Sequence, residues 1–483
     1  MHNLLKDRRA GVLLHPTSLP NAGAPGGLGA EAFHFIDFVK KCGFRVWQTL
    51  PLGPTHSDHS PYQCMSVHAG NTDLISPVDL VSRGWLDATA AAGTDRLVQA
   101  RHGFEDRAEA HEKQDLTDFK QQHAAWLDDY ALYQTIRQAQ DGRSWFDWPK
   151  PLRDRHHAEL SRIRRSHADA IEQVCFEQYV FFLQWQAIRD YAHQQGIALF
   201  GDLPIYVAAD SADIWAGREL FSTDPAGKLD IVAGVPPDYF SASGQRWGNP
   251  LYRWDRIQAD GFRWWLDRFR TQLLLFDIIR LDHFRGFEKY WEVPSQEETA
   301  INGRWVEAPG DALFSRLRET FGDLPLVAED LGTITPEVDA MRRRFDLPGM
   351  KILQFAFDDG PENPYLPHNH VAVSVVYTGT HDNDTTLGWY LGRDEHGRRA
   401  VNEYLGNPSE DMPWPLVRAA LASVARLAIL PMQDILGLGC GHRMNLPGTT
   451  KNNWNWQFDW SQVAPDLAPR LQQMIDIYGR GKS

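Results

Sequence analysis

The sequence predicts an α/β fold, a (β/α)8 TIM barrel with helical and loop insertions between its strands. Three observations predict it: eight short apolar, β-branched runs recur along the chain, helix-periodic segments alternate with them, and several of the runs end abruptly in acids. Buried parallel strands read as continuous apolar runs, and in a barrel their C-terminal ends converge on one place.

The first run, 11–15 (GVLLH), is stopped by P-T-S-L-P at 16–20. Helical spacing over 30–41 puts Phe33, Ile36 and Val39 on one face with Phe35 and Phe38 beside it, and Gly43 follows as a stop. The second run, 45–50 (RVWQTL), ends at P-L-G-P, and a polar loop fills 56–71. His56, Asp58 and His59 are residue types that bind metals, but with no further ligand at suggestive spacing they read as solvated. From 79 to 195 the chain turns polar and helix-periodic. Ile171, Val174, Cys175, Tyr179, Phe182, Trp185 and Ile188 recur mostly every three or four residues, which predicts a long amphipathic helix ended by Gly196. Residues 56–195 are therefore expected to be a mainly helical insertion between a first part of the barrel, 1–55, and its remainder, 196–483.

The third run lies within 198–207 (ALFGDLPIYV), with Asp202 near its polar end. Residues 234–250 (GVPPDYFSASGQRWGNP) hold too many turn formers for core. They read as a loop whose Tyr239, Phe240 and Trp247 either fold over a ligand or pack the loop down. The fourth run is 278–281, and 324–328, 350–357, 371–377 and 427–432 complete the eight, with helical spacing over 311–320 and 336–345 between them. No internal repeat or low-complexity segment stands out.

A net charge of −14 spread without long single-sign runs argues against nucleic acid or an anionic membrane as partner. The first ten residues lack the apolar stretch of a signal peptide and no run approaches the roughly 18 residues of a membrane span, so the cytoplasm is expected. Four cysteines without a Cys-x-x-Cys pair read as reduced packing residues. Most of the 18 tryptophans must be core, but surplus rings in Gly/Pro/Asn loops offer flat faces to sugars.

The chemistry concentrates at run ends. In F-D-I-I-R-L-D-H-F-R-G-F (276–287) an apolar run meets Arg280, Asp282, His283 and Arg285. Either Arg280, Asp282 and Arg285 form an ion-pair cluster closing a strand end, or Asp282 is a nucleophile kept ionised by Arg280, whose side chain leaves the same face two residues earlier. Glu329 follows apolar 326–328, which suits an acid of raised pKa, and Asp382 follows His381 in T-G-T-H-D-N-D-T. Singly, Glu329 and Asp382 read as a helix cap or a loop ion pair. Together with Asp282 they suit glycoside chemistry, in which one carboxylate attacks the anomeric carbon and another acid protonates the departing oxygen.

Eight stretches, among them G-V-L-L-H-P-T-S-L-P (11–20), S-P-Y-Q (60–63), G-D-L-P-I-Y-V (201–207), 234–252, R-L-D-H-F-R-G-F (280–287), V-A-E-D-L-G (327–332), 378–385 and N-L-P-G-T (445–449), together resemble the amylomaltases. These are 4-α-glucanotransferases, also called disproportionating enzymes. The resemblance spans nearly the whole chain and is weakest across the helical insertion. It implies that Asp282 is the nucleophile, Glu329 the acid/base and Asp382 the acid that stabilises the transition state. Arg280, His283 and His381 would support them at the sugar, Tyr62 would stack on it, and Asp202 would occupy a strand end shared by the α-amylase-like clan. Tyr239, Phe240 and Trp247 would overhang the acceptor side. The implied activity is transfer of an α-1,4-glucan segment to the 4-hydroxyl of glucose or a maltooligosaccharide by two displacements, within maltodextrin, starch or glycogen metabolism, without metal or organic cofactor. One departure stands out: Gln457 in N-W-N-W-Q occupies a position where the family leads one to expect Arg, which puts local packing in question.

Three other readings compete. A hydrolase of the α-amylase type would use the same acids but release new reducing ends. A glucan-binding protein with a dead site fits poorly with three acids all in their motifs. A nucleotide enzyme fits worse, because G-L-G-C-G-H (437–442) lacks the third glycine of a dinucleotide fingerprint and the terminal G-K-S has no upstream glycine at P-loop spacing.

Overall fold

Among the residues that the computed structural model describes (3–20, 27–237 and 241–481), twelve strands form two sheets. In chain order they are β1 (Arg9–Leu13), β2 (Val46–Gln48), β3 (Ala198–Leu203), β4 (Ile231–Val235), β5 (Gln245–Arg246), β6 (Ile278–Leu281), β7 (Lys289–Pro294), β8 (Arg304–Glu307), β9 (Leu326–Ala328), β10 (Gly349–Ile352), β11 (Ser374–Tyr377) and β12 (Leu427–Pro431). Eight of them pair in parallel in the order β10-β11-β12-β1-β2-β3-β6-β9. The two ends of that sheet meet where Ala328 N–H donates to Pro348 O at 2.8 Å. This is the (β/α)8 barrel, and all eight apolar runs of the sequence lie in it.

Several strands are shorter than their runs. Pro204 ends β3, and 350–357 bends after three residues into the 3₁₀ turn Leu353–Phe355. Alternation sorts the side chains by face. Phe200, Ile278, Val327, Met350 and Val375 fill the barrel interior, while Leu199, Ile279 and Val376 face the surrounding helices. Gly201 has no room for a side chain: a Cβ there would lie 2.1 Å from Cδ2 of Phe276.

The helix Ala30–Lys41 forms with the predicted bounds, Glu31 in its first turn and Lys40 and Lys41 in its last, each matching the helix dipole. Its buried face is Ala32, Phe35, Ile36, Phe38 and Val39; Phe33 turns aside to meet Tyr191 at 5.3 Å. Between β2 and β3 run the helices Arg96–Arg107, Ala110–Ala139, His157–Ser166 and Ala168–Gln194. Two buried amides on the last tie it to the loop after β2. Gln178 pairs with both the N–H and the C=O of Gly70, at 2.8 and 3.0 Å, and Gln184 does the same with Ser76, at 2.8 and 3.1 Å. Each satisfies a buried peptide group that neither helix nor sheet reaches.

The stretch 234–250 is not loop throughout, as its composition predicts. β4 and β5 belong to a four-stranded antiparallel sheet, β5-β4-β7-β8, with Val232 and Ala233 fully buried. Its turn formers cluster between the two strands. At the opposite end of the barrel from the acids, Arg480 is wholly buried and donates to the carbonyls of Arg9, Leu421, Ser423, Ala425 and Arg426 at 2.6–3.1 Å. Six tryptophans are under 2% exposed, so much of the aromatic load is core. All four cysteines are free, and no described helix is long and apolar enough to cross a membrane.

Candidate active site

Parallel register sets the acids side by side. Asp202 on β3 pairs with Arg280 on β6, and Leu281 pairs with Ala328 on β9. The ladder continues past the strand ends: Asp282 N–H donates to Leu203 O and Glu329 N–H to Leu281 O, both at 3.0 Å. Backbone bonds alone thus set both carboxylates at neighbouring strand ends.

Arg280, 5% exposed, is the hub. Its Nη1 lies 2.8 Å from both Asp202 oxygens and 2.8 Å from Oδ1 of Asp282. A buried guanidinium needs carboxylates around it, and here two share one. Burial raises the Asp202 carboxyl against the pull of Arg280, and Tyr62 OH donates to its Oδ2 at 2.8 Å. Arg285 does not join this cluster, contrary to the ion-pair reading. It turns away to donate to Thr333 O and to lie over the Trp305 ring, 3.9 Å from its centroid.

Glu329 accepts from the backbone N–H groups of His283 at 2.7 Å and Leu331 at 3.0 Å. Burial nevertheless pushes its carboxyl up to about 7, with Asp282 adding to the rise and Arg280 opposing it. The contact with His283 depends on a left-handed backbone there, φ 48°, ψ 55°. The His283 ring meets Trp247 edge-on at 4.7 Å, and burial lowers its pKa to about 4. Trp247 in turn is held by Ala233 O and by Gln245. Tyr239 and Phe240 lie outside the described residues.

Asp382 and His381 stand on the loop after β11. Asp382 keeps half its side-chain surface exposed, with Oδ2 3.3 Å from Nε2 of His381 and Oδ1 accepting from Asn445 Nδ2 at 2.6 Å. Burial works against its charge, but His381 and Asn445 hold the carboxyl well below the usual range. Burial likewise works against a charge on His381, yet Asp382 keeps its imidazole above the ordinary value. The Tyr62 ring stacks on His381 at 5.1 Å. Beneath the loop, buried Asp434 accepts from Thr378 Oγ1 and from both the N–H and the hydroxyl of Thr386, at 2.5–2.7 Å.

Apart from Tyr239 and Phe240, every site residue picked from the sequence lies in this one constellation. Sequence reasoning missed Asn445, Trp454, which lies 5.9 Å from Tyr62, and Asp434. N-L-P-G-T drew attention to Asn445 as part of a motif, without a role. Gln457 does keep its segment packed, donating to Thr17 O and Leu19 O at 3.0 and 3.3 Å. His56, Asp58 and His59 do not converge: Asp58 accepts from Ser60 N–H, and among the described residues no three His, Cys, Asp or Glu side chains gather as a metal requires.

A family model described as 4-alpha-glucanotransferase matches residues 14–462. The chain belongs to this 4-alpha-glucanotransferase family. A 4-alpha-glucanotransferase of Thermus thermophilus is 47% identical, over 98% of this chain and 99% of its own. One from Synechocystis is also 47% identical, over 99% of each. An amylomaltase from Streptococcus agalactiae, solved in complex with acarbose, superposes with a TM-score of 0.94 at 34% identity, covering 98% of this chain and 100% of that one. The chain is thus an enzyme of glucan transfer, and the barrel carrying these acids is the amylomaltase barrel.

Proposed function

We propose that Asp282, Glu329 and Asp382 divide the transfer between them, acting on maltooligosaccharides and longer α-1,4-glucans. Glu329, protonated near neutral pH, gives its proton to the glycosidic oxygen while Asp282 attacks C1, and the severed glucan leaves with a new 4-hydroxyl. The covalent glycosyl-enzyme then meets an acceptor. Glu329, now ionised, takes the proton of its 4-hydroxyl; that oxygen attacks C1, the bond to Asp282 breaks, and the α configuration returns. Asp382 accepts sugar hydroxyls, contacts that strengthen as positive charge develops on the ring. Tyr62, flat against His381, offers its ring to the sugar at the point of cleavage, and Trp247 beside His283 walls the acceptor side against water.

The observation that carries this reading is the pair of unlike carboxyls on neighbouring strands: Asp282 ion-paired with Arg280, and Glu329 with a raised pKa. The test is incubation with maltotriose, following both the product ladder and the total reducing ends. A ladder of shorter and longer glucans at constant reducing ends, abolished in Asp282→Asn, is expected. Rising reducing ends without longer products would favour hydrolysis by the same acids, and an active Asp282→Asn would remove Asp282 from its role.

A further inference from the structure

A second cleft lies away from the acids, between the four-stranded sheet and the short helix Trp254–Ala259. Its volume is about 420 Å³, within the range of small-ligand pockets. Tyr252 helps line it, and a layer of rings divides it from the active site: Tyr252 meets Tyr206 at 6.3 Å, Tyr206 meets Trp247 at 6.0 Å, and Trp247 meets His283. No step of the transfer uses it.

Its walls combine two kinds of group. Trp254 (8% exposed) and Tyr290 (7%) line it, and neither the indole N–H nor the phenol has a hydrogen-bond partner among the described residues. Thr223, also 8% exposed, has a buried hydroxyl that bonds nothing. Of the three, the Thr223 hydroxyl is the one shut off from solvent, and a buried hydroxyl left unbonded is costly unless something arrives to satisfy it. At the rim, Asp230, Asp255 and Glu307 are exposed carboxylates, and they do not gather closely enough to hold a metal.

We propose that this cleft is a second binding site for α-1,4-glucan, holding a stretch of the chain on which the active site works. Separated carboxylates accept sugar hydroxyls, the unbonded donors and the threonine reach the remaining ones, and ring edges cover the apolar sugar face. A polymer held at two sites presents its reacting segment at a raised effective concentration, whereas an oligosaccharide too short to span them gains nothing. The inference rests on the family's activity and not on the roles given to the three acids.

The test compares the parent with Asp255→Asn/Glu307→Gln and, separately, Thr223→Val, using soluble amylose and maltotriose. Expected for the rim variant are weaker retardation in an amylose-containing native gel and a KM for amylose raised by about three- to tenfold, with maltotriose kinetics unchanged. Thr223→Val, which alters only the buried wall, should shift amylose in the same direction. Unchanged amylose binding in both variants would overturn the proposal, and so would an equal loss on amylose and maltotriose, since the cleft would then act through the fold.

Discussion

Glu329 concentrates the titration behaviour of the site in one carboxyl. Its folded value, about 7, lies above the ordinary 4.5, so its proton stabilises the fold. That contribution is complete below the unfolded value and is lost as pH rises through the folded one. Glu329→Gln should therefore melt at a higher temperature than the parent at pH 8, with the gap closing at pH 5, while its activity falls by about 10²- to 10⁴-fold. The parent's kcat/KM should decline on the alkaline side near pH 7, read from initial rates on maltotriose. An alkaline limb that survives in a residually active Glu329→Gln would assign the titration elsewhere. Asn445→Ala frees one oxygen of Asp382, and kcat should drop about ten- to a hundredfold with the melting temperature nearly unmoved. The three acids were legible in the sequence because each breaks an apolar run or follows one closely. Asn445 was not, because nothing in the spacing of a residue 63 positions from Asp382 says that the two meet. Nor does sequence foretell the left-handed His283 whose N–H finds Glu329.

The strands place these residues, and β3 does so under a tight constraint. Gly201 precedes Asp202, and its Cα lies against the Phe276 ring. Gly201→Ala forces that ring or the strand aside, so it should cost about 1–3 kcal/mol in urea unfolding and also lower activity, because Asp202 and Arg280 move with the strand. Loss of stability with full activity per folded molecule would mean that β6 and β9 fix the acids without β3. The barrel strands could be read from the sequence because each is buried on both faces and therefore nearly continuous in apolar residues. β4 and β5 could not, because two short antiparallel strands flanking a Gly/Pro-rich turn have the composition of a loop. Their pairing with β7 is a long-range event that local propensity does not record.

Across the whole molecule, the far end of the barrel is held by a single buried cation. Arg480→Leu would remove a donor from five carbonyls, of which Arg8 still reaches those of Leu421 and Ser423 and the Arg9 N–H that of Arg426, and should destabilise by roughly 1–3 kcal/mol in denaturant titration, with the activity of the folded fraction retained. A variant as stable as the parent would show that water replaces the guanidinium. The barrel order also joins the first strand to the last, since β1 pairs with β12 through Arg9↔Leu427 to Leu13↔Pro431. During synthesis at about 5–20 residues per second, β1 therefore waits roughly 20 to 80 s for its partner, and its apolar edge stays open throughout. The nascent chain thus needs shelter from its neighbours on the polysome, and cells making it faster than chaperones can cover that edge should accumulate it as inclusion bodies.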